Sequence, residues 1–461
     1  MTHHTAPRQE ARAGNQPADQ ILHLLHEVLR PLPTEAADAP TTRLRGRPRV
    51  LSSDHLWLAL LVAILRGSSS FASVWRLITW TGVGSFPVLS VTRAAVRKRL
   101  LQHDLASWHA LLHRVGVALQ PWTRPFSDQS LAPFATEVLA LDQSTLDAVR
   151  RCCQDVRHEA QDSPRLLVGK LAGCFDLRRQ QWVRLLFRED VFANEKLFVE
   201  ELLIGILPGT LFLADLGYFS FAWFDWLSDQ GYWWVSRLRE KTSYTLEHVL
   251  LQQGSTLDAL IWLGAYRADR CKHLVRLIQF EHQGTCYRYL TNVCDPDLLS
   301  MSEVARLYAR RWDIELAFKA LKGSLGLRLW WSSHPVLVLQ QLLAALLLAQ
   351  VLHALHLRLA AEAGVDLFEV SLPVLVKLLA QAPACSSPDA LIHLLLHKGR
   401  TQGLLRPSRR YQAVVPALLH AYTPPPPDLL PIRKPRYAQR KLLPRSLRPC
   451  FHPRFFSFWL I

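Results

Sequence analysis

The feature that most limits how this chain can fold is a change of hydrophobic period between its ends and its middle. From residue 51 to 119, and again from about 325 to 395, apolar residues recur at helical spacing. From residue 137 short apolar runs of strand length take over. Residues 138–142, 166–175 and 182–187 read as three strands, the last two joined by the turn-like stretch 176–181. Residues 194–207 read as a helix stopped by Pro208-Gly209. Residues 210–215 then read as a fourth strand, 219–228 as a helix and 232–238 as a fifth strand. Residues 242–298 mix further strand-like pieces, such as 273–280 and 285–291. A helix with its start near Ser302-Glu303 closes the series.

Three strands, a helix, a strand, a helix, a strand and a final helix is the order of an RNase H-like core. The expected fold is therefore α/β: an RNase H-like catalytic core with a β-rich insertion, flanked by an all-α N-terminal domain and a helical C-terminal region. Two strand runs end in a carboxylate, Asp142 and Asp215. In such a core the first and fourth strands are neighbours, and the last helix packs beside them.

That last helix holds the densest chemistry. At about 100° per residue, Arg311, Glu315, Lys319 and Lys322 fall with Tyr308 on one stripe roughly 80° wide. Asp313 points about 140° from Tyr308, away from the stripe. Glu315 is thus the carboxylate that would meet Asp142 and Asp215 at one sheet edge. Hard divalent cations such as Mg²⁺ prefer a few carboxylate oxygens and keep several waters. Two of them can activate an attacking oxygen and stabilise a leaving one at phosphorus. Each aspartate alone could be a turn residue, and the stripe alone could be a solvated face with i, i+4 ion pairs. The three carboxylates in this order of elements carry the reading.

The chain has 461 residues with a formal net charge of +16, a balance that favours a polyanionic partner, nucleic acid first. Eight cysteines contain no Cys-x-x-Cys pair, which excludes a zinc-ribbon pattern and fits reduced thiols in the cytoplasm. The apolar stretch 336–355 is broken by Gln340, Gln341, Gln350 and His353, so a buried helix is expected rather than a membrane span.

Tyr308, Arg311, Glu315 and Lys322 match Tyr-x2-Arg-x3-Glu-x6-Lys. With Leu141-Asp-Gln-Ser-Thr145 and Ala214-Asp-Leu-Gly-Tyr218 this resembles the DDE transposases of bacterial insertion sequences, in the insertion sequence four group. The resemblance spans roughly residues 135 to 350. It implies a metal-dependent polynucleotidyl transferase for cut-and-paste DNA transposition, with Asp142, Asp215 and Glu315 as catalytic and metal-binding triad. Mg²⁺ is the implied cofactor, with Mn²⁺ able to substitute. Tyr308, Arg311, Lys319 and Lys322 would hold DNA phosphates. An aromatic of the insertion would stack on a flipped base, for which Trp262 is the candidate beside a plain core role. The implied partners are double-stranded transposon ends and target DNA, bridged by a homodimer in a synaptic complex, with no membrane. The implied location is the bacterial cytoplasm, on the nucleoid when DNA is bound. Gln143 departs from the family, where a small residue commonly follows the first aspartate. Two rival readings are a domesticated or inactive DNA-binding relative and an RNase H-fold nuclease without strand transfer.

The expected layout is a flexible basic arm (1–50), a helical DNA-binding domain (51–130), the first part of the core (135–240), the β-rich insertion (241–300), the last core helix (301–350), a helical C-terminal region (351–400) and a basic, proline-rich tail (401–461). Arg43-Leu-Arg-Gly-Arg-Pro-Arg49 reads as a basic linker or an AT-hook-like strip for a narrow minor groove. Residues 90–100, with Arg93, Arg97, Lys98 and Arg99, read as a recognition helix of a helix-turn-helix or as a plain surface helix. From residue 401 onward there are eleven Lys/Arg and one acid, Asp428, which suits an extended tail.

Overall fold

A computed structural model describes residues 50–123 apart from 85, 103 and 104, residues 131–146, 169–188, 199–433 apart from 266–269, 333, 383–386 and 409–411, and residues 456–459. The 43–49 basic motif and residues 194–198 of the expected helix over 194–207 lie outside them; of the rest, Val199–Leu203 is helical.

The N-terminal helices are α1 (Ser53–Leu65), α2 (Arg93–Leu101) and α3 (Leu105–Thr123). Ser52 caps α1: its hydroxyl accepts the His55 N–H at 3.2 Å. Thr92 caps α2 in the same way through Ala95.

Strands β1 (Val138–Leu146), β2 (Gly169–Asp176) and β3 (Gln181–Arg188) form an antiparallel meander. β4 (Leu211–Ala214) follows, then α4 (Phe221–Asp229) and β5 (Trp233–Arg237). Strands β6 (Tyr244–Gln253), β7 (Thr256–Leu263), β8 (Val275–His282) and β9 (Thr285–Thr291) form a second antiparallel meander. α5 (Met301–Arg310) and α6 (Trp312–Lys319) come next, then α7 (Pro335–Ala363), α8 (Leu372–Leu379) and α9 (Pro388–Gly399). β10 (Phe456–Trp459), in the expected tail, pairs with β3 at the sheet edge.

All ten strands belong to one sheet, in the order β10-β3-β2-β1-β4-β5-β9-β8-β7-β6. β1, β4 and β5 are mutually parallel; the other pairs are antiparallel. In the run β3-β2-β1-β4-β5 the first and fourth strands are neighbours, as expected of an RNase H-like core. The strands of residues 241–300 do not stand apart from it: β9 hydrogen-bonds to β5 and continues the same sheet.

Side chains alternate across a strand, so each strand feeds two cores. Val138, Ala140, Leu211 and Leu213 face one core together with α7. Leu139, Leu141, Phe212 and Ala214 face the other, together with Phe224 and Leu227 of α4. α7 is long and apolar enough to cross a membrane, yet 89% of its apolar window is buried inside the protein. Its glutamines bond into the chain rather than to each other. Gln350 accepts the Trp182 N–H at 2.9 Å and donates to the Trp182 carbonyl at 3.1 Å, which fastens α7 to β3. Gln341 donates to the Leu329 carbonyl at 2.9 Å.

Two arginines fix the sheet from within. Arg178, in the β2–β3 turn, donates to the carbonyls of Leu131, Ala132, Ala135 and Thr136 and so clamps the chain entering β1. Arg276 of β8 is fully buried with Asp258 of β7, at 2.7 and 2.5 Å, and also donates to the Leu299 carbonyl at 2.6 Å.

Candidate active site

The site is built where the parallel strands end. β1 and β4 pair in register up to Leu141–Ala214, so Asp142 and Asp215 are the next residues on adjacent strands. Parallel neighbours stand about 4.8 Å apart. By strand alternation both carboxylates lie on the face of Ala140 and Leu213, the face that α6 covers. β1 does not stop at Asp142. It runs on to Leu146 against β2, and only its β4 neighbour ends there. Asp215 starts a short 3-10 turn (Leu216–Tyr218) whose N–H groups its side chain does not cap, which leaves the carboxylate to the site.

The residue opposite Asp142 on β2 is Gly173. A Cβ there would come within 2.5 Å of the Trp182 ring and 3.1 Å of Phe318. The missing side chain is what lets Phe318 of α6 settle on Trp182, ring centroids 4.8 Å apart. Glycine at this register position therefore sets how closely the Glu315 helix approaches the sheet.

The helix itself departs from the sequence expectation. Its start is Ser300, not Ser302: the Ser300 hydroxyl accepts the Glu303 N–H, and the Glu303 carboxylate accepts the Ser300 N–H at 2.9 Å. The helix is then interrupted at Arg311, between α5 and α6, and widens into a π turn over Ala320–Ser324. Uniform 100° spacing fails beyond Lys319 for that reason. Lys322 is carried over to β1, where its ammonium hydrogen-bonds the Thr145 carbonyl. Lys319 lines a recess on another side of α6, with Asp313 and Gln180.

Arg311 donates through Nη2 to the Glu315 carboxylate at 2.7 Å. Its guanidinium lies 5.8 Å from the Tyr308 ring centroid and 5.9 Å from that of Trp312. Its Nε and Nη1, and the Tyr308 hydroxyl, are buried without hydrogen-bond partners. Buried donors of this kind call for a partner such as water, an ion or a ligand. Asp313 is spent elsewhere: it accepts from Arg310 at 2.6 Å and from Gln180 at 3.1 Å.

Electrostatics tie the group together. The Asp142 carboxyl is pushed up to about 7, first by burial, with the Glu315 and Asp215 carboxylates adding to the rise. The Gln143 N–H and the Arg311 guanidinium oppose it. Burial raises the Tyr308 phenol, and Arg311 opposes that rise. Burial works against the charge on Arg311, but Tyr308, Glu315 and Asp215 outweigh it and hold that pKa above its ordinary value.

The donor set is three carboxylates, which suits a hard divalent cation. Among the described residues no three His, Cys, Asp or Glu side chains form a closed ligand group. Glu315 is turned to Arg311, and Asp142 keeps its proton near neutrality. A cation would have to displace that proton and draw Glu315 away.

Two candidates stand differently from expectation. Trp262, on β7, has its indole N–H taken by Glu247 at 2.8 Å and its ring covered by Arg433 at 4.9 Å, so both its donor and one face are engaged. Gln143 has both amide atoms buried without partners. One residue escaped the sequence reading. Arg237 ends β5, the strand parallel to β4, and its charge acts on Tyr308. Its signal was its place at the end of the next parallel strand.

Residues 137–352, a little under half of the chain, match the family model described as "Transposase DDE domain". That match supports a DDE transposase domain over these residues. No curated protein matches the sequence. Among solved structures, the piggyBac transposase synaptic complex with hairpin DNA is similar at 8% identity over 83% of this chain and 82% of that chain, with a TM-score of 0.39.

Proposed function

We propose that this chain cuts the ends of an insertion sequence and joins them to target DNA by two-metal phosphoryl transfer. The observation that carries the reading is the convergence of Asp142, Asp215 and Glu315 at one sheet edge, beside an arginine with unfilled donors. The three carboxylates would hold Mg²⁺, with Mn²⁺ able to substitute; bound there, the ions would supply activation of the attacking oxygen and stabilisation of the leaving one. Arg311 would give its free Nε and Nη1 to a DNA phosphate, and the Tyr308 hydroxyl would donate to the same strand. Lys322, anchored on the Thr145 carbonyl, would keep positive charge at the end of β1. Asp142 holds a proton that must leave before it can act as a ligand. Two copies would bridge a pair of transposon ends, and Trp262 would stack on an extruded base once Arg433 gives way.

The test uses purified protein, Mg²⁺ or Mn²⁺ and a labelled duplex carrying the element's own ends, beside Asp215→Asn and Glu315→Gln. Metal-dependent cutting and joining, lost in both variants, is the expected result. Cutting without joining would replace the transposase by a nuclease. Tight binding without cutting would leave a DNA-binding relative. A variant that cuts at the wild-type rate would sink the triad.

A further inference from the structure

The indole of Trp80 is 84% exposed, the highest value for a large apolar side chain among the described residues. It stands on a π turn, Leu77–Thr81, that follows the short helix Ala72–Arg76. The same turn buries Leu77 and Ile78, so the core was within reach of this stretch and Trp80 is held out of it. Exposure alone would mean little, since single apolar residues are common on surfaces. What surrounds the ring decides.

The π turn is fastened beside the start of α2. Gly82, at φ 73°, turns the chain, and Val88 returns against it, 52% exposed. Leu89 then donates its N–H to the Ile78 carbonyl at 2.9 Å, and the Trp75 indole donates to the Val91 carbonyl at 2.9 Å. Thr92, the next residue, caps α2. At about 100° per residue, Arg93, Ala94, Arg97 and Lys98 share an arc about 140° wide. All four are exposed, while Val96 and Leu100 face the core. Arg76, in the helix that leads to Trp80, is exposed as well. Among the described residues no acid is paired with Arg76, Arg93, Arg97 or Lys98. Between Asp54 and Asp104 the sequence holds six Lys/Arg and no acid.

Cations alone would attract any anion. An exposed ring set among them selects a polyanion that also offers flat apolar faces. Nucleic acid has both, in its phosphates and its bases. A second copy of the chain has the wrong sign, since each carries a formal +16. Sites for single strands use successive aromatics on which successive bases stack. One ring flanked by cations fits instead a wedge between base steps of a duplex, with phosphates on either side. The alanines at 94 and 95, both exposed, leave α2 without bulk between its cations, so a groove wall can come close.

We propose that this patch is a second DNA contact, apart from the carboxylates, in which Trp80 wedges between bases of a duplex from the minor groove while Arg76, Arg93, Arg97 and Lys98 take the flanking phosphates. It rests on the proposed function only for the identity of the polymer as DNA.

The full-length protein without divalent metal is titrated with a labelled duplex carrying the element's ends, by fluorescence anisotropy at several salt concentrations. Duplexes with 2-aminopurine at successive positions report unstacking. The variants are Trp80→Ala, Trp80→Phe and the double variant Arg97→Ala/Lys98→Ala, all at exposed positions. Trp80→Ala should weaken binding about tenfold with an unchanged salt slope and abolish the 2-aminopurine rise, and Trp80→Phe should keep most of both. The double variant should reduce the salt slope by about two and keep the rise at saturation. A wild type that binds the duplex but unstacks no base overturns the proposal. So does a Trp80→Ala protein that binds as tightly as wild type, and if that protein also self-associates less in sedimentation, the patch is a contact between copies. Either result leaves the proposed function standing; a wild type that binds no duplex overturns both.

Discussion

Two of the molecule's arginine–carboxylate pairs are opposites in structure. Arg276 and Asp258 meet in the outer strands with no solvent exposure, and the guanidinium fills its remaining valence on the Leu299 carbonyl. Arg311 and Glu315 meet beside the parallel strands with a single hydrogen bond, part exposure and two idle donor atoms. The first pair is finished and can only hold strands together. The second keeps donor capacity that the proposed function assigns to a DNA phosphate. Degree of satisfaction separates scaffold from site here better than residue type does.

The comparison breaks most sharply under exchange of the carboxylates. Glu315→Gln should lower cleavage by about three orders of magnitude or more, roughly 4 kcal/mol of barrier, while thermal stability stays near wild type. Asp258→Ala should do the reverse, costing about 3–5 kcal/mol of stability because it strands a buried guanidinium. Calorimetric melts and a cleavage assay on both variants check this; equal melting of wild type and Asp258→Ala would remove the contrast.

Gly173→Ala tests the seating of α6 on the sheet. The added methyl must push Trp182 and Phe318 outward, so cleavage should fall about 10–100-fold, with about 1–3 kcal/mol of stability lost to overpacking. An unchanged rate would mean that Phe318 does not fix where Glu315 stands.

A smaller loss is expected from Arg311→Ala. It should weaken binding of the element's ends about tenfold and reduce the salt slope by about one, since one phosphate contact and its released counterion go. An unaltered slope in a salt titration would count against that contact.

The least effect is on pH-dependent stability. The folded-state pKa of Asp142, about 7, lies above its ordinary 3.8. Its contribution is therefore fully present below about pH 4 and is lost as pH rises to 7, because unfolding frees the carboxyl to ionise. The metal-free protein should melt about 2–4 °C lower at pH 7.5 than at pH 5 from this group alone, and Asp142→Asn should remove that difference. Identical pH profiles for the two proteins would contradict the raised value.

The strand order was readable because each strand is an apolar run of fitting length, and the pairing that sets Asp142 beside Asp215 followed from the ends of two of those runs. The end of β1 was misplaced because Gln143, Ser144 and Thr145 are polar, yet they stay in the ladder with Ala172, Leu171 and Lys170. The helix start was missed although Ser300-x-x-Glu303 spells a capping box, because Ser302 stands next to the same glutamate. The π turn that redirects Lys322 leaves no trace in spacing. Neither the cover of Arg433 over Trp262 nor the recess behind α6 could be foreseen, since each is assembled from segments far apart in the chain.

The junction between β5 and β9 is only three residue pairs long: Val235–Thr291, Ser236–Leu290 and Arg237–Tyr289. Its last pair stands beside Tyr308, whose ring packs tilted against that of Tyr289 with centroids 5.1 Å apart. A pull on the outer strands β6 to β8 is therefore carried to the core sheet across this short weld. The residues next along this weld are Tyr289 and Tyr308, so the outer strands and the helix of Tyr308 share one short boundary.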